Sequence, residues 1–565
     1  MHYRIVNGTV IDGSGGPAFK ADVEISGDRI TAVLPRGSSK KAAEPRAESA
    51  PAGSRLRRID AAGCFVSPGF IDAHSHADLG PFTPDKLDLK LLQGVTTEVT
   101  GQCGFSPAPI PAERRDQWMQ YYVPGSPLEQ WPWESTAEFY SALRRQGLPL
   151  NFMPFVGHGT LRFAVKGDNS APMEPAELNQ MEAMLEQAFT EGAAGLSFGL
   201  IYVPALCADR SELKRAAEIA ARHRRILAVH MRSESDELIE ALEEMAQLQS
   251  DTGVRLHISH LKAIGRRNQN KIDQALRLIE THNMSFDSYP YTYGSTSLLS
   301  MLPPQLFTGT SVQTGLAQLS DHQVQKNIRA LLSGRKSPPD GLAWDNLALL
   351  VGWDRIELAS IPEGFDSDLT GRTLAAAAEL RGTSPVELTL LLARRYGGQA
   401  RIIDEFSEEA TLKKILSHPA GVASSDTLLG GHQHPRVAGS FARILSRYTH
   451  EPGHGPLSLE EAVHRMTGRS AQVLGLKDRG VIQNGMAADI AVWRPDFSDE
   501  STRQSPEQPA RGLEYLFING DPVMKPAAHQ QAAAFRQPRL HTRTAGRLLT
   551  APAHIRPQSV FRPAE

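Results

Sequence analysis

The chain has 565 residues, a formal net charge of -3, 41% hydrophobic and 22% charged residues, and three cysteines. That length calls for at least one large domain with accessory pieces rather than a single helical or all-β unit. The near-neutral charge balance excludes nucleic acid as the implied partner. Cys64, Cys103 and Cys207 are too few and too scattered for a disulfide framework. No apolar run approaches the roughly 20 residues of a membrane span, and "MHYRIVNGTVIDG" lacks the layout of a secretory leader. The expected location is therefore cytoplasmic, with no membrane partner.

In chain order, "RIVNGTVIDGSG" and "ADVEISGDRITAVLP" read as short strands punctuated by Gly and Asp turns, one part of a small β-structure over residues 1–62. Residues 36–57, rich in Ser, Ala, Pro and charge, read as a flexible insertion within it. From 63 to about 475 one pattern recurs: a short apolar run, a polar cluster at its carboxyl end, then a helical stretch. Eight such runs end in "GFIDAHSHAD", "TTEVTGQCGF", "NFMPFVGHGT", "AAGLSFGLIY", "ILAVHMRSE", "RLHISHLKA", "MSFDSYPYTYG" and "GVASSDTLLGG". Between several of them lie amphipathic segments such as "AELNQMEAMLEQAFTEG" and "DELIEALEEMAQLQSDTG". Eight βα units predict an α/β fold, a closed parallel (β/α)8 barrel with its site at the strand carboxyl ends. Residues 299–418 are too long for one crossover and predict an inserted subdomain. Residues 476–525 return to strand chemistry and are expected to rejoin the amino-terminal β-structure as a small sandwich. Residues 526–565, with weak periodicity, are expected to be loosely ordered.

The polar residues at the strand ends carry the chemistry. His74 and His76 stand two apart, so in an extended segment both rings face one side, as a metal requires. His230 and His260 each end another strand, and four such imidazoles converging at a barrel rim can hold one or two Zn2+ ions. Cys103, between Gly101 and Gly104, ends the neighbouring run, and thiolate is a good zinc ligand whose ionisation the cation assists. Asp426 ends the eighth run. A carboxylate beside a metal site can accept the proton of an attacking water and pass it to the leaving group, although "SSD" before "TLLGG" also suits a capped turn.

Taken together, "GFIDAHSHAD", "TGQCGFSPAP", "GAAGLSFGLIYVP", "VHMRSE", "ISHLKAIG", "DSYPYTYGST" and "SSDTLLGGHQHPRVAGSFARIL" resemble, in this order, the N-acyl-D-amino acid deacylases (D-aminoacylases) of the amidohydrolase superfamily. The resemblance spans nearly the whole chain, including "IVNGTVIDG" and "GMAADIAVW", which are similar to strands of that family's β-sandwich. It implies a zinc-dependent (β/α)8 barrel in which Cys103, His230 and His260 hold a tight zinc. His74 and His76, with Cys103, would form a second, weaker site, and Asp426 would be the catalytic aspartate. Other amidohydrolases bridge two metals with a carboxylated lysine; the fourth run here offers none, and Cys103 would take that place. The resemblance implies hydrolysis of a small-molecule N-acyl-D-amino acid by a monomer or small homo-oligomer.

Such a substrate carries a free carboxylate, for which Lys262 and Arg436 are the candidate cations and Tyr202, Tyr291 and Ser297 the candidate donors. His158 is read as a polar neighbour of the substrate, and His432 and His434 as flanking Arg436. The rival readings are another zinc amidohydrolase reaction, on a cyclic imide or hydantoin or on a D-dipeptide, and a binding barrel without catalysis.

Overall fold

A computed structural model describes residues 1–35, 56–122, 128, 131–307, 310–336, 344–362, 364–428, 434–449, 455–525, 539–540 and 544–550. Eight parallel strands form the centre: β1 (Phe70–Asp72), β2 (Val95–Thr100), β3 (Asn151–Pro154, resumed at Val156–Gly157), β4 (Gly195–Gly199), β5 (Ile226–His230), β6 (Arg255–Ile258), β7 (Ser285–Ser288) and β8 (Gly421–Ala423). Each pairs in parallel with the next. The ring closes where the Ala73 amide donates to the Ala423 carbonyl at 3.3 Å. All residues of β2, β4 and β5 are buried, because a barrel strand is covered by side chains within and by helices outside.

Those helices form where the apolar spacing places them. Pro175–Thr190 begins with a reciprocal capping box of Glu174 and Glu177 and buries Met181, Leu185, Ala188 and Phe189. Leu238–Thr252 stops at Gly253, whose φ of 68° is the left-handed geometry that suits glycine. Both pack with Leu213, Leu227, Val229 and Ile258 in one apolar cluster around the middle strands. Each fully buried leucine there contributes on the order of 1.5–3 kcal/mol.

A second sheet draws on both chain ends. Phe65–Pro68 pairs with Thr9–Val10 on one side and with Ile490–Trp493 on the other, so the amino- and carboxyl-terminal strands share one hydrogen-bonded path. Tyr3, Val23 and Val66 meet Ile490, Val492 and Phe517 in a common core. Residues 36–55 of the expected insertion lie outside the described residues. Its last two, Leu56 and Arg57, instead open a strand to Asp60 that pairs with His2–Val6. Residues 544–550, read as loosely ordered, are tied to the barrel: the Leu549 amide donates to the Phe152 carbonyl at 2.6 Å and the Arg547 amide to Asn151 Oδ1 at 2.9 Å. Buried backbone and amide groups at the start of β3 need partners, and this segment supplies them.

Between β7 and β8 the chain forms a three-stranded antiparallel sheet, Gly294–Ser297, Ile356–Ser360 and Arg401–Asp404, with the last strand central. Its helices enclose a core that includes Leu298, Leu332, Leu358, Leu388 and Ile402. Tyr289 and Tyr291, just past β7, join this cluster and seat the insertion over the carboxyl end of the barrel. Among the described residues no helix is long and apolar enough to cross a membrane.

Candidate metal centre and active site

The carboxyl ends of β1, β2, β5, β6 and β8 bring His74, His76, Cys103, His230, His260 and Asp426 together. Cys103 Sγ lies 3.4 Å from His74 Nε2 and 3.3 Å from His260 Nε2. The His230 and His260 rings cross at 4.4 Å between centroids, and the His74 and His76 rings at 5.3 Å. Asp426 Oδ1 stands 3.4 Å from His76 Nε2 and 3.6 Å from His74 Nε2. Its backbone amide donates to the His74 carbonyl at 2.8 Å, which fixes the eighth strand end against the first.

Three of these residues have a backbone that non-glycine residues rarely adopt: φ is 52° at Cys103, 35° at His260 and 50° at Asp426. Each such residue costs about 1–3 kcal/mol and persists only where its surroundings over-determine it. At Cys103 the surroundings are glycines. A Cβ on Gly199 would lie 1.8 Å from the Cys103 carbonyl oxygen, so β4 can pass the turn only without a side chain.

Beneath the ring lies a set of carboxylates that sequence reasoning did not single out. Asp287 takes His74 Nδ1 at 3.3 Å, His257 Nε2 at 3.0 Å and the His260 amide at 3.1 Å. Burial opposes its ionisation, but the His74 charge and these hydrogen bonds outweigh it and hold the carboxyl well below the usual range. Glu234 takes His260 Nδ1 at 3.0 Å and both its oxygens accept from Lys262 Nζ at 2.9 Å. Against burial, Lys262, His230 and His260 bring Glu234 down to about 2. Lys90, fully buried, bridges Asp72 at 2.5 Å and Glu98 at 3.0 Å and donates to Ser425. That ion cluster ties the start of the His74 turn to the residue before Asp426. Glu234 is legible in hindsight, four residues after His230; Asp287 and Lys90 carry no local signal.

The donor set fits a metal ion of zinc type. Ligand atoms of His74, Cys103 and His260, of His74, His76 and Asp426, and of His230, Glu234 and His260 each fall within 4.8 Å of one another. Among the described residues both ring nitrogens of His230 are buried with no partner at hydrogen-bond distance, Glu234 being 3.6 Å from Nε2, an arrangement that costs free energy unless a ligand takes one of them. Burial disfavours the Cys103 thiolate, yet the His74 and His260 charges hold its pKa well below the ordinary thiol value. His74 and His260 each direct their second nitrogen to a carboxylate, the support that orients metal-ligating imidazoles.

Above the cluster opens a cavity of about 230 Å³, lined by His76, Cys103, His230, His260 and Asp426 on its floor. Ile201, Val203, Leu206, Leu299, Leu302 and Phe307 form much of its apolar wall. Of the residues expected at the substrate, Lys262, Tyr202 and Ser297 line it. Ser297 Oγ already accepts the Leu299 amide at 3.2 Å and caps a short helix.

Arg436 and Tyr291 are not on the lining. Arg436 is 1% exposed and donates from Nη1 to Asp426 Oδ2 at 2.7 Å, its charge used by the aspartate itself. Tyr291 turns to Asp499, 3.4 Å from its hydroxyl, because its ring packs under Arg443 and beside His434. Tyr289, two residues earlier, faces the cavity instead. His158 is fully buried and bonds Glu212 at 2.8 Å, away from the cavity. His434 bonds the Tyr293 carbonyl at 2.9 Å, and His432 lies outside the described residues. Arg232, Asp345, Arg401 and Asp404, on the cavity wall, had no sequence signal.

A closed parallel barrel with imidazole, thiol and carboxylate groups crowded at its carboxyl mouth defines a metal-dependent hydrolase of barrel type. The sequence pattern of the amidohydrolase family matches residues 57–524, and the chain belongs to that family. It is similar to a D-aminoacylase of Alcaligenes xylosoxydans xylosoxydans, 32% identical over 93% of this chain and 94% of the relative. Among solved structures it resembles a D-aminoacylase with a binuclear metal centre, described as activated by one metal and attenuated by the second, at a TM-score of 0.76 and 30% identity over 97% of this chain and 99% of the other. It also resembles an N-acyl-D-glutamate deacylase from Bordetella bronchiseptica in complex with zinc and a phosphonate mimic of the tetrahedral intermediate, at a TM-score of 0.75 and 29% identity over 97% and 99%.

Proposed function

We propose that this protein hydrolyses the amide bond of N-acyl-D-amino acids, giving a carboxylate and a free D-amino acid. The observation that carries the proposal is the crowding of Cys103, His76, His230, His260 and ionised Asp426 on the floor of one cavity large enough for a small acylated amino acid, with His74 buried directly behind Cys103. The D configuration is supported by the relatives, which carry it in their names.

In this reading Cys103, His230 and His260 hold the tighter Zn2+, and His74 and His76 with Cys103 a second, weaker one. When bound, zinc would polarise the acyl carbonyl and acidify a water. Asp426 is the general base: it accepts the proton of the attacking water and returns it to the departing nitrogen. Burial alone would raise its pKa, but Arg436 and the bond to His76 keep it well below the usual carboxylate value, so it starts each cycle ionised. Asp287 and Glu234 orient His74 and His260 and hold the proton of each ring on the side away from Cys103. Tyr202, whose hydroxyl burial and the charges of Cys103 and Asp426 keep neutral, offers a donor at the cavity wall.

The proposal extends to the division of the chain: a β-sandwich from residues 1–62 and 476–525, a barrel over 63–475 and an insertion around 299–418. It takes the enzyme to act in the cytoplasm as a monomer or small homo-oligomer, a setting that suits three cysteines not joined in disulfides. The test is a panel of N-acetyl-D- and N-acetyl-L-amino acids with acidic, apolar and small side chains, with hydantoins alongside, assayed with added Zn2+. Release of free D-amino acid alone is expected; turnover confined to hydantoins or to L-substrates would overturn the reading.

A further inference from the structure

One carboxylate joins the inserted subdomain to the loop that supports the metal centre. Asp345, in the insertion, lies on the cavity wall, and three donors of the loop after β5 converge on it. The Ser233 hydroxyl donates to Oδ1 at 2.6 Å, the Ser235 hydroxyl donates to the same oxygen, and the Glu234 amide donates to Oδ2 at 2.8 Å. All three loop residues are buried. Among the described residues no cation stands within ion-pair distance of Asp345, so these charge-assisted bonds are what offset the cost of holding a carboxylate there.

The residue gripped between the two serines is the one that orients a ligand. The Glu234 side chain takes His260 Nδ1 at 3.0 Å and Lys262 Nζ at 2.9 Å, and its carbonyl accepts from the Ile264 amide at 2.6 Å. Asp345 therefore fixes the backbone from which Glu234 reaches His260. The residues that follow it brace the neighbouring loop: Leu347 and Leu350, on the short helix Leu347–Leu350, pack in one apolar cluster with Ile264. The Leu350 carbonyl comes so near Gly265 that a Cβ there would lie 3.0 Å from its oxygen. The insertion thus holds the loops after β5 and β6, the two strands whose ends carry His230 and His260.

Resting on the assignment of His230 and His260 to the tighter zinc, we propose that Asp345 is a positioning residue of the metal centre. Docking of the insertion through Asp345 sets the place of Glu234, and Glu234 sets the orientation of His260 toward the ion. Linkage makes the coupling reciprocal: metal binding and the Asp345 contact stabilise one another.

The experiment measures zinc affinity by competition with a fluorescent chelator, with thermal midpoints of the metal-free proteins and visible spectra of the Co2+ forms alongside. Removing an outer partner of a metal-bound imidazole costs about 10- to 100-fold in affinity, and Asp345→Ala, one contact further out, is expected to lie near the tenfold end. Its cobalt bands should shift, because they report ligand geometry. Asp345→Asn keeps the size and one acceptor and should lose less than about threefold. On a Glu234→Gln background Asp345→Ala should cost less than about twofold more, since the effect runs through Glu234. Asn346→Ala removes the bond from Nδ2 to the Leu331 carbonyl at 3.1 Å, within the insertion, and leaves the Asp345 contact in place; it is expected to bind zinc as the wild type does. Wild-type zinc affinity and cobalt spectrum in Asp345→Ala would overturn the proposal, as would an equal loss in Asn346→Ala or a full additional loss on the Glu234→Gln background. Should Asp345→Ala not fold, Ser235→Ala decides: it removes one of the three donors, a loss of about threefold is expected, and wild-type affinity would overturn the proposal. Undiminished zinc binding by His260→Ala would overturn the metal assignment instead. Wild-type protein that binds zinc in an Asp345-dependent way but cleaves no N-acetyl-D-amino acid would overturn the deacylase reading and leave the role of Asp345 standing.

Discussion

Arg436 and Asp426 form a buried ion pair, Nη1 to Oδ2 at 2.7 Å, and the other carboxylate oxygen of Asp426 faces the His74 and His76 rings. One oxygen is held while the other points to the reacting space. Asp426→Asn keeps the shape and one hydrogen-bond acceptor but cannot take a proton. It is expected to lower kcat by at least about 1,000-fold with KM little changed and zinc content near that of the wild type. Metal analysis of the same preparation that is assayed separates loss of the base from loss of the ion.

His230 distinguishes the two metal positions. Among the described residues its ring nitrogens have no partner at hydrogen-bond distance, the Glu234 carboxylate standing 3.6 Å from Nε2, so the ring is poised for a ligand. His74, by contrast, is already bonded to Asp287. We expect His230→Ala to lose most of its zinc after gel filtration and His74→Asn to keep most of it while losing activity. Zinc retained by the first and lost by the second, measured by plasma mass spectrometry, would exchange the two assignments.

The residues at the strand ends were legible because a parallel barrel imposes a repeating order: apolar run, polar end, helix. His74, Cys103, His230, His260 and Asp426 each stand at such an end, and the fold alone brings them to one mouth. The partners that orient them were not legible, since pairing of charges depends on separations the sequence does not display. Asp287 meets His74 across 213 positions, and Lys90 meets Ser425 across 335. The same limit explains Arg436 and Lys262. Their position beside the site was readable, but their capture by Asp426 and Glu234 was not. Arg401 sits in an insertion without the βα rhythm, so no periodicity pointed to it.

Gly199 tests how far the Cys103 turn depends on its neighbour. The Cβ of an alanine there would stand 1.8 Å from the Cys103 carbonyl oxygen and 2.5 Å from its carbon. Backbone on both sides cannot yield as a flexible side chain would. Gly199→Ala is expected to lower the thermal midpoint by a few degrees, in line with about 1–3 kcal/mol for overpacking. It should also weaken zinc binding, because relief of the clash moves the thiol. A variant with wild-type midpoint and zinc affinity would show that the turn adapts.

Glu212 gives a prediction about acid stability away from the site. Its carboxylate is 2% exposed, takes His158 Nε2 at 2.8 Å and pairs with Arg162. Burial alone would raise its pKa, but His158 and Arg162 bring it from an ordinary 4.5 to about 2. A depressed acid contributes stability that is fully present above its unfolded value, near 4.5, and is lost as the pH falls toward 2. The linkage amounts to about 3 kcal/mol. Glu212→Gln should therefore be destabilised by an amount of that order at pH 7, and urea midpoints of variant and wild type should converge as the pH drops through 4 toward 2. A difference that stays constant across that range would mean that Glu212 acts through packing and not through its charge.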